Sequence, residues 1–263
     1  MNSPSSTNSL KSEVASAEAL KEPNANQPSQ CGDEIFTSNS RWKFEGLDPE
    51  AFESHAERSI PLYLEGHELI SDLSAFFTPE TGSILDIGCS TGRLLRSLAE
   101  KHSERTDLNF VGIDNSPSML KWAEEQSQDE RIQWNCEDLN SADLGQHDMI
   151  IAYYTVQFVP PRLRQELINR LYQSLNWGGA LLLFEKVRGP DARFQDIITQ
   201  LYTDYKLKKG YGPEEILNKT QSLKGILEPF SSQGNMDLLK RAGFIDITTV
   251  QRYLCFEGFL AIK

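Results

Sequence analysis

Residues 86–92 read Asp-Ile-Gly-Cys-Ser-Thr-Gly, a D-x-G-x-S-x-G pattern. Gly88 and Gly92 fall where a backbone must turn sharply and let a ligand approach, which anything larger than a hydrogen or a small hydroxyl would obstruct. The dinucleotide fingerprint G-x-G-x-x-G is absent, because Ser90 stands at its second glycine and Leu95 where its third would lie. Asp114 ends the next apolar run. A carboxylate has only acceptor oxygens, so Asp114 suits a pair of ribose hydroxyls. A further acid, Asp138 in Cys136-Glu-Asp-Leu139, closes the third run, where such sheets recognise an adenine amino group. This combination points to an S-adenosylmethionine-type site in preference to a nicotinamide one.

Such residues work together only if strands deliver them to one edge of a sheet. Residues 83–87 form a short apolar strand, then the glycine turn, then a helix over 93–102 with Leu94, Leu95 and Leu98 on its apolar face. A second strand over 109–113 leads to Ser116, a plausible N-cap, and Pro117 at the first helical position. Further strands are expected at 132–136, 149–154 and 180–184, with a helix over 161–175 whose Leu163, Leu167, Ile168 and Leu171 share a face. Alternation at this spacing predicts an α/β fold with a largely parallel, doubly wound, Rossmann-like sheet, its ligand at the strand carboxyl ends. Ahead of it, residues 49–77 have helical spacing interrupted by Pro61, hence two helices. Residues 191–229 predict a helical lid or dimer-forming insertion, with Phe194, Ile197, Ile198, Leu201 and Tyr205 as an apolar stripe. Residues 244–263 alternate well enough for two antiparallel strands, with Glu257-Gly258 turning or bulging between them.

The chain has 263 residues, 39% of them hydrophobic, and a formal net charge of -12. That length supports one sizeable core over residues 41–263. The acidic balance disfavours direct nucleic acid binding or a surface for anionic lipid, both of which need clustered Lys and Arg. Residues 1–40 are rich in Ser, Asn, Glu and Pro and are expected to form a disordered tail. They lack the apolar core of a signal peptide, and no stretch approaches the roughly 20 apolar residues of a membrane span, so a cytoplasmic protein is expected. Cys31, Cys89, Cys136 and Cys255 are scattered without C-x-x-C spacing, which suggests reduced thiols and no metal site.

With these motifs in place, the sequence resembles class I S-adenosylmethionine-dependent methyltransferases, and within them most closely the carboxy-S-adenosyl-methionine synthases. Those enzymes act in wobble-uridine tRNA modification and move a carboxylate from prephenate onto the sulfonium methyl carbon. The resemblance runs from about Arg58 to Lys263. Its narrowest signals are Arg58-Ser-Ile-Pro-Leu-Tyr63 and Gly210-Tyr211; the glycine turn and Asn176-Trp-Gly-Gly179 are shared across the wider class. The resemblance implies cofactor contacts from Tyr63, Gly88, Cys89, Ser90, Asp114, Asn115, Asp138 and Leu139, and it implies a homodimer. Asp86 of the glycine turn and Tyr153 complete the candidate set, although the family has Asn where Tyr153 stands. The family also has an Arg where this chain has Thr220, after Lys219. A carboxylated cofactor needs a paired cation in a dry pocket, and a hydroxyl supplies neither charge nor a fork of donors.

The preferred reading is therefore methyl transfer from ordinary S-adenosylmethionine to a small-molecule acceptor. Carboxy-S-adenosyl-methionine synthesis with another cation, such as Lys219 or Lys224, is the alternative, and a non-catalytic cofactor-binding subunit is a third. Catalytic residues are not identified: Tyr153 and Tyr154 are expected chiefly as aromatic walls, Cys89 as inert, and His67 as a surface or satisfied histidine. Glu185-Lys186 closes the fifth strand near the site, and an ordinary ion pair explains it equally well; the Lys206-Leu-Lys-Lys209 run is expected as a solvated helix end, with attraction of an anionic substrate as the alternative.

Overall fold

The computed structural model describes residues 29–32, 35–37 and 47–263. β1 (Ser29–Gln30) and β2 (Phe36–Thr37) form a small antiparallel hairpin, with Cys31 and Ile35 buried. Part of the stretch expected as a disordered tail is therefore paired and packed; the rest of residues 1–40 lies outside the described residues. α1 (Pro49–Ser59) begins where Asp48 accepts a hydrogen bond from the Ala51 N–H at 2.9 Å and Pro49 takes a position with no helical N–H to lose. Pro61 separates it from α2 (Tyr63–Phe77), and Leu62 between them is left-handed at φ 58°.

β3 (Ser83–Ile87), α3 (Arg93–Lys101), β4 (Asn109–Asp114), α4 (Pro117–Glu125), β5 (Ile132–Cys136), β6 (His147–Tyr153), α5 (Pro161–Gln173) and β7 (Leu175–Lys186) follow in strict alternation except around β5 and β6. α6 (Ala192–Lys208), α7 (Pro213–Ser222) and α8 (Ser232–Ala242) precede the final strands β8 (Asp246–Tyr253) and β9 (Phe256–Ile262). The sheet order is β5-β4-β3-β6-β7-β9-β8, parallel through β7, with β9 antiparallel to both its neighbours. Connections leave β3 toward β4 on one side, while β6 lies on the other, so the order reverses beside β3 and the crevice there is the expected ligand position.

Central strands are mostly apolar because helices cover both faces, with Asp86 and Glu185 as buried exceptions. Leu85, Ile87, Ile150 and Leu183 pack with Leu167, Ile168 and Leu171 of α5 and Leu238 and Leu239 of α8. Ile84, Phe110, Met149 and Leu182 face the other way, onto Ile70 of α2 and Leu94, Leu95 and Leu98 of α3. Neighbouring residues of one strand thus serve opposite layers, as the pleat requires.

Some boundaries differ from the sequence reading. β7 is longer than expected, because Leu175 already pairs with His147 and a register shift carries the strand through the glycine pair. The last turn falls at Leu254, left-handed at φ 51°, while Glu257 and Gly258 are paired inside β9. A Cβ on Gly258 would lie 2.5 Å from Phe184, so that glycine serves close packing rather than a turn. On α6, Ile198 and Tyr202 pack inward, whereas Phe194, Ile197 and Leu201 remain about half exposed.

Candidate functional site

The glycine turn after β3 is built by close approach. Gly88 and Cys89 both donate to the Ile113 carbonyl, at 2.7 and 3.1 Å, which pins the turn to the end of β4. Gly88 has φ 68°, and a Cβ there would meet Thr155 Oγ1 and Cγ2 at 2.5 Å. Thr155 is itself fixed, donating to the Ile87 carbonyl at 2.9 Å. Ser90 is left-handed at φ 51°, a strained backbone for a non-glycine residue, and its N–H donates to Asp114 Oδ2 at 2.9 Å. Ser116 N–H donates to Asp114 Oδ1, also at 2.9 Å. Each carboxylate oxygen keeps a further lone pair for a hydroxyl. Ser116 occupies the expected N-cap position of α4, but its hydroxyl meets Ser118 Oγ at 3.2 Å instead of capping the helix.

A cavity of about 360 Å³ opens above this turn. All but one of the sequence candidates need no qualification: Tyr63, Asp86, Gly88, Cys89, Ser90, Asp114, Asn115, Asp138, Leu139 and Tyr153 all line it. The qualification concerns Asp138, which lies beyond the end of β5 in an exposed turn and accepts from the Asn140 N–H at 2.9 Å. α1 contributes Phe52, His55 and Ser59 to the opposite wall, and α7 contributes Lys219. At the mouth, Arg93 is paired with Glu57 and lies 3.6 Å from Glu53. Lys219 contacts His55 Nε2, and the Tyr211 hydroxyl lies 3.2 Å from His55 Nδ1.

Electrostatics inside the cavity follow from burial. Asp86 is 2% exposed, Oδ1 has no hydrogen-bond partner among the described residues, and burial together with neighbouring Asp114 pushes its carboxyl up to about 8. Burial also raises Asp114, against three backbone N–H groups that favour its charged form. His67 is buried with no hydrogen-bond partner for Nε2 among the described residues, and burial, aided by Arg93, lowers its imidazole to about 3. It is therefore neither a surface histidine nor a satisfied one. Burial pushes the Cys89 thiol well up, so it stays protonated and is a poor nucleophile.

Tyr153 donates to the Tyr63 carbonyl at 2.6 Å and packs tilted or edge-on against Tyr63, His67 and Phe184, which makes it a wall. Tyr154 adopts φ 59° and buries its hydroxyl with no hydrogen-bond partner among the described residues. Both phenols are raised by burial. Glu185 and Lys186 do not pair. Glu185 is fully buried on one side of β7, accepting from Gln157 N–H at 3.1 Å, while Lys186 lines the cavity on the other. Strand alternation should have excluded that ion pair, since adjacent residues of a strand point to opposite faces. Thr220 is exposed and donates to the Ile216 carbonyl of its own helix at 2.8 Å. Neither Thr220 nor Lys224 lines the cavity.

The walls fit an adenosylmethionine: a glycine cradle that a Cβ would fill, an acid for ribose hydroxyls, and buried polar atoms of Asp86 and His67 without hydrogen-bond partners among the described residues. A family model described as a methyltransferase domain matches residues 84–179. The chain is 34% identical over 235 residues to the carboxy-S-adenosyl-L-methionine synthase of Campylobacter lari, covering 88% of this chain and 99% of that protein. It is 35% identical over 212 residues to the enzyme of the same name from Staphylococcus epidermidis, covering 81% and 92%. An O-methyltransferase family protein from Burkholderia thailandensis superposes with TM-score 0.58 at 16% identity, over 82% of this chain and 59% of that one, a likeness of fold alone.

Proposed function

The chain belongs to the family of carboxy-S-adenosyl-L-methionine synthases within the class I methyltransferase fold, an S-adenosylmethionine-dependent transferase, and on that premise we propose that it carboxylates S-adenosylmethionine rather than methylating an acceptor. One observation carries the choice. Three cavity groups placed to deprotonate an acceptor, His67, Tyr153 and Tyr154, are held in an unhelpful form: His67 is weakly basic at about 3, Tyr153 is engaged, and both phenols are raised. A reaction whose second substrate brings its own proton acceptor suits such walls. The position that argued against this reading, Thr220, is exposed, bonds its own helix and does not line the cavity, whereas the adjacent Lys219 does.

In this reading Asp114 holds the ribose, Asp138 and Leu139 flank the adenine, and Tyr63, Gly88, Cys89, Ser90 and Asn115 wrap the remainder. Asp86 faces the cationic amino-acid end. Bound S-adenosylmethionine supplies a methyl carbon activated by positive sulfur. The resemblance implies prephenate as the carboxylate donor. In net terms its ring carboxylate replaces one methyl hydrogen, which leaves with the donor's hydroxyl as water. The chain's own part is to align two substrates and exclude water. The half-exposed Phe194, Ile197 and Leu201 of α6 support the expected homodimer, and among the described residues no helix is long and apolar enough to cross a membrane.

Methylation of a small acceptor is the second reading, favoured by Tyr154, which lines the same cavity and whose buried hydroxyl has no hydrogen-bond partner among the described residues. Incubation with S-adenosylmethionine and prephenate, followed by mass spectrometry of the nucleoside, tests the choice. The expected product is heavier than S-adenosylmethionine by one carboxylate. Recovery of unchanged S-adenosylmethionine together with intact prephenate would overturn the proposal.

A further inference from the structure

We propose that Lys186 and the Tyr154 hydroxyl form a carboxylate subsite for the second substrate, separate from the adenosylmethionine cradle and supplying the cation that Thr220 does not. This rests on the carboxylation reading above for its substrate class. Lys186 ends β7 and lines the cavity beside Tyr202 and Phe256. Its Nζ lies 4.5 Å from the centroid of the Tyr202 ring and 5.9 Å from that of Phe256, so aromatic faces surround its charge. Among the described residues no carboxylate forms an ion pair with it. The nearest candidate in sequence, Glu185, is committed to the opposite face.

The surroundings accentuate that imbalance. Lys206 lies 4.7 Å from the same Tyr202 ring and is 6% exposed, so a second ammonium of the expected solvated run is buried close by. Burial lowers both lysines, and each lysine is further lowered by a neighbouring lysine charge. Cys255 also faces both lysines, but burial raises its thiol, which keeps it neutral. A half-buried ammonium with no carboxylate paired to it among the described residues gains most from an anion, because the low dielectric strengthens a direct pair. Tyr154 adds the neutral donor. Its ring packs edge-on to Phe256 at 5.8 Å, and Tyr202 meets Phe256 at 5.2 Å, which joins the hydroxyl and the ammonium through one aromatic wall. The Tyr202 hydroxyl is already spent, donating to the Ser59 carbonyl at 2.8 Å. One point charge and one hydroxyl match a carboxylate with an oxygen for each.

The test measures prephenate binding to the full chain saturated with S-adenosylhomocysteine, by isothermal titration, in wild type, Lys186→Met, Lys186→Arg and Tyr154→Phe. Removing the ammonium should weaken prephenate by about 30-fold or more, as expected for one partner of a buried charge pair. Tyr154→Phe should weaken it less, and Lys186→Arg should restore part of the loss. S-adenosylhomocysteine affinity and thermal midpoint serve as folding controls and should change little. Undiminished prephenate binding in a folded Lys186→Met would overturn the subsite even if wild type forms carboxylated product. Wild type that binds prephenate through Lys186 yet forms no carboxylated product would instead sink the carboxylation reading and leave the subsite standing. Wild type that binds no prephenate at all would overturn both.

Discussion

Burial holds the Asp86 carboxyl protonated up to about 8, and a cationic amino-acid end placed beside it reverses that preference. With that value, about nine in ten Asp86 groups carry their proton at pH 7 in the free protein, so S-adenosylmethionine binding should release close to one proton. The affinity should then rise about tenfold per pH unit up to about 8 and level off above it. Stability of the free protein runs the other way. The folded pKa of Asp86 exceeds its ordinary 3.8, so its contribution is fully present below 3.8 and is lost as pH rises through about 8. Glu185, also raised by burial to about 8, adds to the loss over the same window. Calorimetric titration from about pH 6 to pH 9, in buffers of different ionisation enthalpy, gives both the proton count and the slope. Asp86→Asn keeps the shape without the charge and should flatten most of the slope, leaving the smaller part that raised Asp114 contributes. A proton count near zero with a flat wild-type affinity, or an unchanged slope in Asp86→Asn, would refute the assignment of Asp86 to the cationic end.

Gly88→Ala places a Cβ 2.5 Å from the Thr155 side chain at φ 68°, so it should lose S-adenosylmethionine binding and cost about 1–3 kcal/mol of stability, read from urea unfolding. Arg164→Met should be among the most damaging core changes, by about 3–5 kcal/mol in the same assay. It would abandon the carbonyls of Gln157, Val159 and Glu228, which the 1% exposed guanidinium now binds at 2.9, 2.8 and 2.7 Å. Thr220→Arg, an exchange on the exposed side of α7, should leave S-adenosylmethionine affinity within about twofold, since surface charges contribute little; equilibrium dialysis checks it, and a larger shift would show that position 220 reaches the cavity.

Much of this was legible before any coordinates. Short apolar runs bounded by turn and capping signals, with helical spacing between them, located β3 through β6 and their helices, because those elements are buried where the sequence must be apolar. The glycine turn and its acids could be found because backbone geometry restricts Gly88 and Gly92 to residue types that stand out in any sequence. α8 was missed, since Ser232–Ala242 is short and polar and is signalled mainly by Gly243 at its end, left-handed at φ 118°. Its start, where the Ser231 hydroxyl accepts from Gly234 N–H at 3.1 Å, is a recognisable cap only once the helix is known.

Residue types and spacing by themselves determined the fold class and the cofactor cradle, because both depend on local chain geometry repeated at short range. Only the tertiary structure decided which way the ambiguous side chains face. Strand alternation already separates Lys186 from Glu185, but only the fold puts Lys186 in the cavity, leaves His67 Nε2 without a hydrogen bond among the described residues, takes Lys206 of a basic run inside and keeps Thr220 off the cavity lining. Each outcome depends on what segments distant in sequence bring alongside: α1 and α6 over the open edge of the crevice, and Phe256 of the antiparallel β9 beneath Lys186. Burial of a charge is a property of that assembled surface, so no pattern confined to one segment could have foretold it.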